Sequence, residues 1–297
     1  MSLAERLGRV GIFAGQLSWL STQAQREMLP ELEAAGFGAI WYGESYGREA
    51  FAQGAILLAH SKRLNVASGI ANIYVRDPMA MANGARALEQ AWPGRFLLGL
   101  GVSHAPMVEG RGHDYGKPVA AMATYLDGME SAPWRGTEVQ MPPVVLAALG
   151  PRMLGLAGRR TAGAHPYFVP VEHTRRAREI LGPGPLLAPE QAGVFASSRE
   201  RALEIAGGHL RTYLSLPNYR NNLLRLGWTE ETLGADPPGA ELVDALVAWG
   251  DEDAILARVR AHLEAGADHV VVQPLTADPQ KPYVEEVRRL AGVISKL

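Results

Sequence analysis

Cysteine is absent from the 297 residues. That excludes disulfides, thiolate metal sites and a cysteine nucleophile. Excess charge is missing too. The 29 basic residues nearly cancel the 31 acidic ones, for a formal net charge of -2. No polyanionic partner follows from that balance, and nucleic-acid binding is not expected. No apolar stretch approaches the roughly 20 residues of a membrane helix. Residues 1–9 hold Arg6 and Arg9 but no apolar run of the signal-peptide kind. The expectation is a soluble cytoplasmic protein with no membrane partner. Histidines show no HxH pair and no carboxylate cluster at metal-ligand spacing, so no metal is expected and a barrel metallohydrolase is a remote reading. Low-complexity segments, sequence repeats and domain boundaries are also lacking.

What is present is ordinary globular material, 47% hydrophobic and 20% charged. The length suits one α/β barrel spanning 1–297 as a single domain. Residues 95–106 organise the reading. Phe96 to Leu100 is an apolar run too short for a helix, and Gly99 and Gly101 interrupt it. Ser103, His104 and Pro106 follow. A buried parallel strand leaving its sheet at the carboxyl end has this appearance, and in such folds ligands bind at that edge. The glycines remove side chains where something must approach the backbone closely, or simply make a tight turn.

The rest of the chain repeats the alternation. Strands are predicted at 10–14, 39–42, 64–70, 96–100, 144–148, 163–169, 186–196 and 269–273. Helices lie between them, with starts at Thr22, Asp77–Pro78, Ser198 and Asp251 and stops at Gly36 and Gly266. Residues 107–116 read as an irregular lip. Residues 217–249 read as a helical insertion after the seventh strand, with a helix over 242–249. Eight strand–helix units in under 300 residues, without nucleotide-fingerprint glycine spacing, favour a closed (β/α)8 TIM barrel over an open doubly wound sheet.

Five segments in order carry a family resemblance. They are Glu33-Ala34-Ala35-Gly36-Phe37-Gly38-Ala39-Ile40-Trp41-Tyr42-Gly43-Glu44; Ala67-Ser68-Gly69-Ile70-Ala71-Asn72 with Asp77-Pro78; Gly94 through His104; Ala147-Ala148-Leu149-Gly150-Pro151-Arg152-Met153; and Gly266 through Pro274. On these the chain resembles the bacterial luciferase-like monooxygenase superfamily, nearest its branch of oxidoreductases using the deazaflavin coenzyme F420. The resemblance implies a (β/α)8 barrel, usually a homodimer, with a flavin or deazaflavin at the C-terminal mouth.

It also implies roles. The ring would lie against the third strand at Gly69, Ile70, Ala71 and Asn72, where relatives often carry a non-proline cis peptide, here matched by Gly69–Ile70. The alternative for Asn72 is a local side-chain–backbone turn. Glu44 and Ser45 match a carboxylate and polar residue that contact the cofactor. The alternative for Glu44 is an ion pair with Arg76 or Arg48. Ser103 and His104 are expected to touch the cofactor, and His104 lies where related sugar-phosphate dehydrogenases have a glutamate proton donor. The imidazole departs from that pattern, yet titrates near neutrality and suits proton transfer. His104 and Glu44 are therefore the catalytic candidates.

Ala148, Leu149, Gly150, Pro151 and Arg152 match the cofactor-phosphate site. A glycine and a helix N-terminus offer free amides there, and Arg152 opposes the helix dipole unless an anion is near. Trp19, His165 and Tyr167 are the candidate substrate walls. The expected activity is hydride exchange between F420 and a small organic substrate. The rivals are an FMN-dependent luciferase-like monooxygenase on the same barrel and a non-catalytic flavin-binding barrel.

Overall fold

A computed structural model describes residues 1–278 and 282–297. In chain order the strands are β1 (Val10–Phe13), β2 (Ala39–Tyr42), β3 (Asn65–Ser68), β4 (Ala71–Asn72), β5 (Phe96–Gly101), β6 (Val144–Leu146), β7 (Gly163–Ala164), β8 (Leu186–Leu187), β9 (Glu190–Phe195), β10 (Val247–Gly250) and β11 (Val270–Pro274). They lie in the order β10-β9-β11-β1-β2-β3-β5-β6-β7-β8, with β4 on β5. The sheet closes because β8 runs on into β9 through Ala188 and Pro189. On one side of that strand the Ala188 and Glu190 amides donate to Ala164 and Pro166 carbonyls, at 2.9 and 2.8 Å. On the other, the Asp268 and Val271 amides donate to Leu187 and Pro189, both at 2.9 Å. Taking β3–β4 and β8–β9 as one strand each, the barrel has eight strands, and β10 flanks the outer half of β9.

The buried strands sort their residues by face. Phe13, Ala39, Trp41, Ala67, Leu97, Val145, Ala188 and Val271 share one cluster inside the barrel. Ile12, Ile40, Tyr42, Val66, Leu98, Leu100 and Leu146 face the surrounding helices in another. Both faces are apolar, as a helix-covered parallel sheet requires. Leu3, Ala4 and Leu7 of the helix Leu3–Leu7 pack against the interior set.

The interior also holds imidazole. Trp41 Nε1 donates to His269 Nε2 at 3.1 Å, and His269 Nδ1 donates to the Gly8 carbonyl at 2.7 Å. His165 stacks on Trp41 with ring centroids 4.5 Å apart.

Gly99 and Gly101 do admit a close approach, but by protein. A β-carbon on Gly99 would collide with the Ser68 carbonyl oxygen, and one on Gly101 would stand 2.5 Å from the Ile70 side chain. Between β3 and β4 the Gly69–Ile70 peptide is cis, where the resemblance placed it.

Several boundaries differ from expectation. Ser21, not Thr22, caps the helix Thr22–Ala35, through its Oγ and the Ala24 amide at 3.1 Å. The third strand breaks at the cis peptide instead of running through 64–70. The sixth strand ends at Ala164; the His165 amide and the Pro166 carbonyl still bond Leu146 and Glu190, and the left-handed Phe168 (φ 57°) then turns the chain away. The predicted helix over 242–249 is a helix at Ala240–Leu246 followed by β10, since Val247 to Gly250 find a ladder partner in β9. The lip at 107–116 begins inside a helical turn, Ala105–Glu109. Helices Arg199–Leu214, Pro217–Arg225, Glu230–Gly234 and Ala240–Leu246 bury their own cluster around Leu210, Tyr219, Leu223 and Leu242.

Candidate active site

A cavity of about 1580 Å³ opens at the carboxyl ends of the strands. Its lining combines the strand-end segments with one wall from the end of the helix Arg199–Leu214 and the insertion that follows, including Tyr213, Leu216, Asn218, Tyr219 and Arg225. Most of the residues singled out from the sequence meet there. Trp19, Glu44, Ser45, Gly69, Ile70, Ser103, His104, Ala148, Leu149, Gly150, Pro151, Arg152, His165 and Tyr167 all line it.

Ala71 and Asn72 do not line it; both are buried beneath the edge. Asn72 Oδ1 accepts the Tyr74 amide at 2.9 Å, so its side chain closes a local turn.

Glu44 reaches the cavity but its carboxylate is engaged. The Arg76 guanidinium grips both oxygens. The Ala50 and Asn72 amides each donate to one of them at 2.9 Å. Its side chain is 4% exposed, and that of Arg76 10%. This pair ties the end of β2 to β4 and to the start of helix Ala50–His60.

His104 caps the turn Ala105–Glu109 without a side-chain cap bond. Its ring lies 5.4 Å from that of Tyr219. Burial holds its pKa below the usual imidazole value, against Asn218, which favours the charged form. Nδ1 has no partner among the described residues. A neutral imidazole with a free nitrogen, on the cavity wall, can accept or return a proton. The preceding Ser103 is left-handed (φ 56°), which carries the loop over the cavity, and its carbonyl accepts the Tyr115 hydroxyl at 3.1 Å.

After the neighbouring strand β6, Gly150 is the N-cap of the helix Pro151–Arg160, and no side chain caps that first turn. Arg225 reaches over from the insertion; a β-carbon on Gly150 would lie 3.5 Å from its guanidinium. Lys117, Arg152, Arg159 and Arg225 line the cavity, and none forms an ion pair among the described residues. The one carboxylate among the described lining residues is Glu44, already neutralised by Arg76. The cavity lining therefore carries net positive charge, with Arg152 and Arg225 beside the helix N-terminus at Gly150, which favours an anionic ligand group.

A sequence profile described as luciferase-like monooxygenase matches residues 10–269. The chain belongs to the luciferase-like monooxygenase family. Among its relatives is a Mycobacterium tuberculosis protein provisionally named a coenzyme F420-dependent oxidoreductase. The two are 30% identical over 171 residues, which is 57% of this chain and 47% of that one. The match thus spans about half the length of that relative. A second, the 5,10-methylenetetrahydromethanopterin reductase of Methanolobus tindarius, is 22% identical over 88% of this chain and 91% of its own. Among solved structures, the coenzyme F420-dependent tetrahydromethanopterin reductase of Methanopyrus kandleri superposes with a TM-score of 0.75 at 17% identity, covering 97% of each chain. An F420-dependent secondary alcohol dehydrogenase follows at 0.71 and 16%, covering 97% of this chain and 98% of that one.

In this luciferase-like barrel, sequence reasoning missed Phe13, Gln16, Lys117, Tyr115, Tyr213, Asn218, Tyr219, Arg225 and Gln273. Phe13 and Gln273 stand at strand ends, so the rule that found Glu44 would have found them. The insertion residues carried no such signal, because a helix joins a site by folding over it.

Proposed function

We propose that this luciferase-like barrel is an oxidoreductase that binds the deazaflavin coenzyme F420 and exchanges a hydride between that ring and a small organic substrate. The observation that carries the reading is the unpaired cationic lining of the cavity. Lys117, Arg152, Arg159 and Arg225 line it with no free carboxylate among the described lining residues, more charge than one phosphate would neutralise, and the deazaflavin side chain ends in a phosphate followed by carboxylates. One relative, matched over 57% of this chain, is provisionally named for this coenzyme, and another, matched over 88%, is named a 5,10-methylenetetrahydromethanopterin reductase.

The residues present suit such a group. Gly150 and the uncapped first turn beside Arg152 and Arg225 would take the anionic tail. The third-strand edge at Gly69 and Ile70 would support the ring. When bound, the coenzyme supplies the hydride-exchanging carbon. The protein's tasks are to hold ring and substrate together, exclude water and handle the accompanying proton. His104 takes that last task, as a neutral base when the substrate is an alcohol. Glu44 serves as the tie that shapes the edge. Trp19 and Tyr167 give the substrate side aromatic walls.

Titration of the purified protein with F420 and with FMN tests the reading. Tight F420 binding with weak FMN binding is the expected result. Tight FMN binding with none to F420 would replace it with the monooxygenase reading, and binding of neither would remove both.

A further inference from the structure

His165 presents an unmatched acceptor at the cavity floor. Its Nδ1 lies 2.7 Å from the Ala188 carbonyl oxygen. A carbonyl can only accept, so Nδ1 carries the proton, and a neutral imidazole then has a bare Nε2. The residue is 1% exposed, and Nε2 meets no donor among the described residues. The ring cannot swing to find one. It is stacked on Trp41, which His269 pins in turn, and Phe13 lies nearly parallel to it at 6.4 Å and 15°.

The position is specific. His165 lines the cavity, and a β-carbon on Gly69 would lie 3.1 Å from Nε2. The acceptor therefore sits at the level of the third-strand edge. A buried acceptor without a donor is costly, and a ligand that supplies one gains what the empty protein forgoes.

Resting on the reading of a flavin-like ring in this cavity, we infer that His165 is a positioning residue whose Nε2 accepts a hydrogen bond from the lactam N–H of the ring's pyrimidine edge. That edge carries one N–H between two carbonyl oxygens. The carbonyls are acceptors and are repelled by a bare nitrogen, so the contact selects one rotation of the ring in its own plane. His165 thereby sets which ring edge points inward, without touching the hydride-exchanging carbon.

The test is equilibrium binding, followed by ring fluorescence, of F420 and FMN and of whichever binds in N3-methylated form, to the full chain. Three proteins are compared: the parent, His165→Gln, which keeps an acceptor, and His165→Phe, which keeps the stacking. The parent should bind the unmethylated ring at least about 10-fold more tightly than the methylated one. His165→Phe should lose about 10-fold for the parent ring and no longer distinguish the two. His165→Gln should recover part of both effects.

Equal binding of methylated and unmethylated ring by the parent protein would overturn the inference, and this arm needs no variant to fold. So would parent-like affinity in His165→Phe. If the parent binds neither F420 nor FMN, the functional reading fails and takes this one with it. If it binds but ignores methylation, this inference alone is lost.

Discussion

Glu190 is buried beneath the Phe168 loop, and one carboxyl oxygen accepts the Phe168 amide at 3.1 Å while the other has no partner among the described residues. Burial pushes its pKa up to about 8. The folded chain thus holds a proton that the unfolded chain releases above its ordinary carboxyl pKa of 4.5. By linkage, stability falls as pH rises from about 4.5 towards 8. Glu190→Gln keeps the shape and removes that loss. It should stabilise the protein by on the order of 2–4 kcal/mol at pH 8 and change little at pH 4.5. Thermal midpoints at the two pH values check this; an equal shift at both would contradict it.

His104 carries the catalytic expectation at the same scale. His104→Gln should lower kcat by roughly 10²–10⁴-fold while F420 affinity stays within a few-fold, since general acid–base help is of that size. Its depressed pKa means the free base predominates at neutrality. Oxidation of an alcohol should then be flat in pH through neutrality and decline only on the acid side of the ordinary imidazole range. A pH profile unchanged in the variant would remove His104 from proton transfer.

Among elements, the carboxylate of Glu44 joins β2, β4 and the helix Ala50–His60 through Arg76 and two amides. Glu44→Ala leaves a largely buried guanidinium without its main partner, although Glu49 still pairs with it at 2.6 Å. The expected cost is about 2–3 kcal/mol, the lower side of what breaking a buried pair brings. Denaturant unfolding measures it. A catalytic role would instead cut turnover at unchanged stability. The neighbouring ladder is as unforgiving. Gly99→Ala must push β3 off β5, because the new methyl meets the carbonyl of Ser68, a residue whose Oγ donates to the Gly99 carbonyl at 2.9 Å and accepts the Gly99 amide at 2.9 Å. A loss of about 1–3 kcal/mol is expected from such overpacking, read in the same unfolding curves.

Over the whole molecule, acid is the vulnerable direction. Burial lowers the pKa of His165, His209 and His269 to about 4 and that of His262 to about 3. The folded chain keeps these rings neutral while the unfolded chain protonates them below about 6.5, so their contribution to stability is complete above that pH and drains away as pH falls towards 4. Each ring contributes roughly 2 kcal/mol of loss by pH 5. Midpoints measured from pH 7 to 5 should drop steeply, and a flat profile would show that the rings are accessible to protons in the fold. Among the described residues, no helix is long and apolar enough to cross a membrane.

The barrel itself was legible in the chain because its signals are local. Apolar runs such as Phe96–Gly101, glycine stops such as Gly36, and caps such as Asp77 and Ser198 each act within a few residues of themselves. Strand ends then pointed to Glu44, Ser103, His104 and Gly150, and the cavity does lie among them. What each side chain does there depended on neighbours far away in sequence. Whether Glu44 meets a ligand or Arg76 is decided by a 32-residue separation, and whether Asn72 faces the cavity or its own turn by the way β4 meets β5. Arg225 comes to Gly150 across 75 residues because the insertion folds onto the mouth. The bare nitrogen of His165 exists only because Ala188 claims the other one. Periodicity and capping are properties of a segment, and the sequence holds them outright. Hydrogen-bond partners and net field at a cavity are properties of what the closed sheet brings together, and those the tertiary structure alone decided.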